Sequence, residues 1–185
     1  MTLFQFGAED PVRGYRTLDE RVMRGSAGIM LALAVIAIVN GFVLKNYPVL
    51  PYISGFLVLN FLTGLVVNPK FSPTVWVATW LVRKQAPLPI GAAQKQFAWS
   101  LGLTLSAFIF AFSLLLQHDA SWFGTTCKLC VICMALLYLE TAFGICVGCK
   151  LYDLAIRVGL LRAPAIKPNC MGDACEVASP KQDVG

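Results

Sequence analysis

Four long apolar stretches, at residues 27–44, 49–67, 97–116 and 129–148, contain no Lys or Arg and only one acidic residue, Glu140. Each reaches the roughly 17–25 residues that a helix needs to cross a bilayer. With no water in hydrocarbon to pair backbone groups, such segments fold as helices rather than as an open sheet. Composition agrees: 57% of the residues are hydrophobic and 14% charged, against about 25% charged in a soluble domain. The chain therefore reads as an all-α membrane protein, a four-transmembrane-helix bundle. A disordered chain is excluded, and the composition argues strongly against a soluble globular one.

Basic residues give the orientation. Arg13, Arg16, Arg21 and Arg24 precede the first stretch, and Lys45 alone separates the first from the second. Lys70, Arg83, Lys84 and Lys95 lie between the second and third, and Lys128 alone leads into the fourth. Lys150, Arg157, Arg162, Lys167 and Lys181 follow it. This alternation predicts two cytoplasmic termini and two short external loops. The net charge of +5 is thus mostly topological and gives no reason to expect a nucleic-acid partner. The expected organisation is a cytoplasmic segment (1–24), a four-helix domain (25–150) and a cytoplasmic tail (151–185). The first stretch is longer than a signal-peptide core and reads as an uncleaved anchor. Residues 74–82 are apolar but too short to span. With Trp76, Trp80, Lys70 and Arg83 they predict an interfacial helix, ended by Pro87 and Pro89.

All seven cysteines lie from residue 127 onward. Cys127, Cys130 and Cys133 recur at every third position at the expected external mouth of the fourth helix. Cys146 and Cys149 form a C-x-x-C at its expected cytoplasmic end, and Cys170 and Cys175 follow in the tail. Small apolar filling is the plain reading of an isolated membrane cysteine; clustering at both ends of one helix points to chemistry. Thiols three apart on a helix share a side and can form a disulfide or share a soft metal. A helix N-terminus favours thiolate, which would activate Cys127 and Cys130, while a C-terminus would oppose it at Cys146 and Cys149. On one continuous helix Cys130 and Cys146 would stand roughly 24 Å apart, too far for direct exchange.

Glu140 falls near the centre of the fourth stretch, where an ionised carboxylate requires a partner or a proton. Asn40 and Asn60 are the intramembrane polar candidates, and Cys133, seven residues before Glu140, shares its face. Glu140 reads either as a proton acceptor or as a neutral hydrogen-bonding link between helices. His118 reads as a solvated loop residue.

Residues 18–152 resemble the bacterial integral-membrane family DUF4395, a domain of unknown function. The resemblance rests on Asp19-Glu20-Arg21, on Asn68-Pro69-Lys70-Phe71-Ser72-Pro73 and on Phe97-Ala98. Its most distinctive part is Phe143-Gly144-Ile145-Cys146-Val147-Gly148-Cys149-Lys150-Leu151-Tyr152. It implies a four-helix protein of the bacterial inner membrane, with Cys146 and Cys149 as the family pair. Relatives found beside thioredoxin-like and rhodanese-like proteins imply thiol or sulfane-sulfur handling. Cys127-x-x-Cys130 is loosely similar to the active pair of vitamin K epoxide reductase proteins, but the 45–51 loop lacks the second pair of that relay.

Three functions stay open. In the first, Cys146 and Cys149 exchange a disulfide or persulfide with a cytoplasmic thioredoxin-like or rhodanese-like partner, Cys127 and Cys130 act outside, and Glu140 manages a proton. In the second, the chain transports thiosulfate or a soft metal, with Cys127, Cys130 and Cys133 as metal ligands. In the third, it is an accessory subunit of a larger membrane complex. No cofactor is fixed by the sequence; Cu, Zn or a quinone are those the thiols admit.

Overall fold

The computed structural model describes residues 5–11 and 14–161. It contains the four-helix bundle: helical segments Glu20–Val43, Val49–Val66, Ala92–Leu116 and Ala120–Phe143 are long and apolar enough to cross a membrane. Strands β1 (Ala8–Asp10) and β2 (Tyr15–Asp19) precede helix α1 (Glu20–Ile38). Helices α2 (Val49–Val66) and α3 (Pro73–Val82), strand β3 (Pro89–Gly91), and helices α4 (Ala92–Leu116), α5 (Phe123–Phe143) and α6 (Val147–Arg157) follow.

The three strands form an antiparallel sheet in the order β1-β2-β3, with Thr17 opposite both Ala8 and Gly91. Such short strands leave no periodic signal in the sequence. The sheet ties the starts of α1 and α4 together. Asp19 caps α1 by accepting from the Arg21 amide at 3.0 Å, and it accepts from the Leu88 amide at 3.2 Å. This fixes a sheet end of the bundle, shared by the starts of α1 and α4 and the ends of α2 and α5. At the far end α1 finishes in a π-helical turn, Val39–Val43, and the Gln117 amide donates to the Tyr47 carbonyl at 3.0 Å.

Close approach of α2 and α4 is set by glycine. A Cβ on Gly64 would lie 2.1 Å from the Trp99 ring, and one on Gly102 2.8 Å from the Phe61 ring. The two rings meet edge to face with centroids 5.3 Å apart. Met23, Ala27, Met30, Leu57, Phe61, Trp99 and Leu137 belong to one buried cluster.

Helix α3 is apolar and too short to span, and it seats Thr74, Val75 and Ala78 in the interior. Fully buried Asn60 holds it: its Oδ1 accepts from the Thr74 amide at 3.1 Å and from the Thr74 hydroxyl at 2.9 Å. The Thr74 proton being spent there, Ser26 must donate to Thr74 across 2.7 Å. Trp76 and Trp80 remain exposed on the outer side.

Candidate thiol site at the sheet end

The fourth apolar stretch is not one helix. α5 stops at Phe143, and Gly144 takes a left-handed conformation (φ 67°) that other residues adopt only at a cost. The amides of Gly144 and Ile145 bond back to the carbonyls of Glu140 and Leu139, both at 3.1 Å. Cys146 is extended (φ −86°, ψ 100°) and occupies the N-cap position of α6, whose first helical bond runs from the Lys150 amide to the Cys146 carbonyl at 3.1 Å.

The expected setting of the C-x-x-C is therefore reversed. Cys146 and Cys149 do not lie at the end of a spanning helix; they open a new one, where unpaired amides and the helix dipole favour a thiolate at Cys146. Both are buried free thiols, 5% and 6% exposed. A hydrogen bond from the Cys149 thiol lowers Cys146 to about 7; burial opposes this, and the Lys95 ammonium acts with it. The same bond, then burial, pushes Cys149 up. The pair is thus asymmetric, with Cys146 the thiolate and Cys149 its proton-bearing neighbour.

Behind the thiols stands a buried ion pair. Lys95, in the first turn of α4 and 1% exposed, donates to the Glu140 carboxylate on α5. Glu140 therefore finds its partner in Lys95. Asn60 is engaged with Thr74 and donates to the Met30 sulfur at 3.6 Å. Asn40, in the far-end π turn, donates to the Ile36 carbonyl at 2.8 Å. Nor does Glu140 sit at mid-helix: it is in the last turn of α5. A short-range network holds that end, since Arg24 donates to the Thr141 carbonyl at 3.2 Å and lies 3.8 Å from Glu20.

Lys95 is the functional residue that sequence reasoning missed. Placing the third span at 97–116 left Lys95 outside it, as one more loop charge. Observed α4 starts at Ala92, which brings Lys95 inside. The available signal was a basic residue at the margin of one apolar run and a lone acidic residue inside another, charges that tend to pair with each other.

Gly148 explains how α6 reaches this position. A Cβ there would lie 2.6 Å from Ala98 Cβ and 2.7 Å from Ala98 Cα. α6 thus lies directly against α4, one turn beyond Lys95, and Tyr152 packs on Phe97 with ring centroids 5.6 Å apart.

The model for the family described as Domain of unknown function (DUF4395) matches residues 18–157. The chain belongs to that family. No curated protein and no solved structure matches it. The DUF4395 region contains the whole assembly just described: the Asp19 cap, the Asn60–Thr74 contact, Lys95, Glu140 and the two thiols. Within 144–149 each motif residue has a physical reason. Gly144 ends α5, Cys146 starts α6, Gly148 permits the crossing with α4, and Cys149 faces Cys146.

The other cysteines lie elsewhere. Cys127, Cys130 and Cys133 occupy the far-end half of α5, Cys130 buried and its neighbours partly so. They do not form a metal site. No group of three or more His, Cys, Asp or Glu side chains among the described residues is placed to hold an ion. The reason is geometric: from the first to the third thiol the helix rises about 9 Å, whereas ligands of one zinc lie about 2.3 Å from it. Cys170 and Cys175 lie outside the described residues.

One feature does link the two thiol groups. A part-open, mainly apolar cavity of about 150 Å³ lies between α4, α5 and α6, lined by Cys133 and Glu140 of α5 and by Cys146.

Proposed function

We propose that this chain is an integral-membrane thiol protein that exchanges a disulfide or persulfide through Cys146 and Cys149. The observation that carries the reading is the placement of Cys146 at the N-cap of α6, with Cys149 one turn on and the Lys95–Glu140 pair behind them. Cys146 thiolate attacks a partner disulfide, forming a mixed disulfide and releasing one partner thiolate. Cys149, losing its proton, then attacks the Cys146 sulfur, releases the second partner thiolate and closes the Cys146–Cys149 disulfide; the reverse reaction follows the same path. Against a persulfide, Cys146 takes the outer sulfur and the donor leaves as a thiolate.

Nine of the eleven described Lys and Arg residues stand at the sheet end; only Lys45 and Lys128 stand at the far end. This supports a cytoplasmic sheet end in a bacterial inner membrane, both termini inside. The partner is then cytoplasmic, a thioredoxin-like or rhodanese-like protein. Purified protein in lipid nanodiscs, mixed with a reduced or oxidised thioredoxin, tests the reading. Exchange of disulfide should occur in the wild type and be lost in Cys146→Ser, while Cys149→Ser should accumulate the mixed disulfide at Cys146. Undiminished exchange in Cys146→Ser would overturn the proposal.

A further inference from the structure

We propose that the cavity between α4, α5 and α6 is a binding site for the ring of a lipid-soluble quinone, which oxidises the Cys146–Cys149 dithiol. The inference rests on the thiol-exchange reading and supplies its electron acceptor.

Access comes first. Leu101 of α4 and Leu136 of α5 line the cavity and are themselves 40% and 36% exposed. Both lie inside segments long and apolar enough to span the membrane. The opening between them therefore faces acyl chains, and whatever enters must dissolve in lipid. Size comes second. An enclosed apolar cavity of about 150 Å³ binds benzene, so this part-open cavity has the volume for one six-membered ring. Trp99, Leu105 and Leu137 supply flat or aliphatic wall for such a ring.

Chemistry comes third. Cys146 and Glu140 face the same space, whereas Cys149 and Lys95 stand behind them. The occupant thus meets the thiolate and a carboxylate, but not the second thiol. This order suits a two-electron, two-proton acceptor. Cys146–SH plus Cys149–SH plus quinone gives the Cys146–S–S–Cys149 disulfide plus quinol. With Cys146 already a thiolate, its proton released earlier to solvent, the Cys149 S–H bond breaks and one S–S bond forms; the electron pair enters the ring, one proton from Cys149 and one regained from solvent end on its oxygens, and Glu140 lies at the wall to pass them. The disulfide so made is the form that a partner dithiol reduces.

The test uses the full chain, reduced and desalted, in nanodiscs without oxygen, with a benzoquinone bearing a short alkyl tail. Quinone loss by absorbance and the Cys146–Cys149 disulfide by mass spectrometry should rise together, one to one. Leu136→Trp, which fills the cavity, should lower the quinone rate at least tenfold relative to the rate with glutathione disulfide in the same protein. Binding is read separately in redox-inert Cys146→Ser/Cys149→Ser protein. The quinone should quench tryptophan fluorescence saturably, and Trp99→Phe should remove that saturable component. Glutathione disulfide oxidising the pair while quinone does not, or an unchanged rate ratio in Leu136→Trp, overturns the quinone site alone. Failure of both oxidants to join Cys146 to Cys149 in the wild type overturns the dithiol reading and this site with it.

Discussion

Replacing Cys149 with Ala removes the hydrogen bond that chiefly holds Cys146 near 7. Without it the thiol should rise at least to its ordinary value of 9.0. The sign is that of any depressed acid: wild-type thiolate is present above pH 7 and is lost as pH falls through 7. At pH 7 the thiolate fraction should drop from about a half to about 1%, a loss near 50-fold. Intrinsic nucleophilicity moves the other way, because a more basic thiolate attacks faster. With a Brønsted slope of about 0.45, two pH units return roughly eightfold. The variant should therefore react about six times more slowly than wild type at pH 7 and about eight times faster above pH 10. The two rate profiles should cross near pH ~8. The assay follows mixed-disulfide formation at the Cys146 peptide by mass spectrometry, using a small aromatic disulfide on protein in nanodiscs. Profiles that remain parallel, with a shared midpoint near 7, would refute the role given to Cys149 and return the activation of Cys146 to the helix terminus and Lys95.

Two further perturbations probe the frame around the thiols. Lys95→Met strands Glu140 without its partner and should destabilise the bundle by about 3–5 kcal/mol, while Lys95→Met/Glu140→Leu should recover most of that loss; thermal unfolding in detergent, arranged as a double-mutant cycle, measures both. Gly148→Ala forces a methyl group to within 2.7 Å of Ala98 Cα, so α6 must shift, at about 1–3 kcal/mol, and the pH midpoint of Cys146 reactivity should rise as the thiol moves away from Lys95.

The legible part of the fold was the part set by length and polarity. Four long apolar runs without Lys or Arg define four spanning helices, and residues 74–82, apolar but short, define α3. The break at Gly144 was not legible, because glycine is tolerated within lipid-embedded helices and the run from 129 to 148 is apolar apart from Glu140 and Thr141. Only the crossing of α6 over α4 at Ala98 makes Gly148, and with it the turn, necessary. Cys146 and Cys149 were singled out by their spacing, yet their electrostatic setting was reversed, since it depends on which end of which helix they occupy. Lys95 escaped for a related reason: span margins read from hydropathy shift by several residues, and a charge in the first turn counts as loop until packing against α5 shows its partner. The Asp19 cap falls within a short motif whose spacing carries no periodic signal, and Asn60, though legible as a polar residue inside an apolar run, takes Thr74 rather than Glu140 as its partner, which only tertiary contacts reveal.

A redox titration of the intact protein in membranes tests the central claim most directly. Samples equilibrated across a series of dithiothreitol potentials are quenched with acid, alkylated and read by mass spectrometry. The account predicts one two-electron transition joining Cys146 to Cys149 within a single chain, abolished by substitution of either residue and independent of Cys127, Cys130 and Cys133. Cys146 and Cys149 remaining unlinked at every potential, or pairing with other cysteines instead of each other, would contradict it.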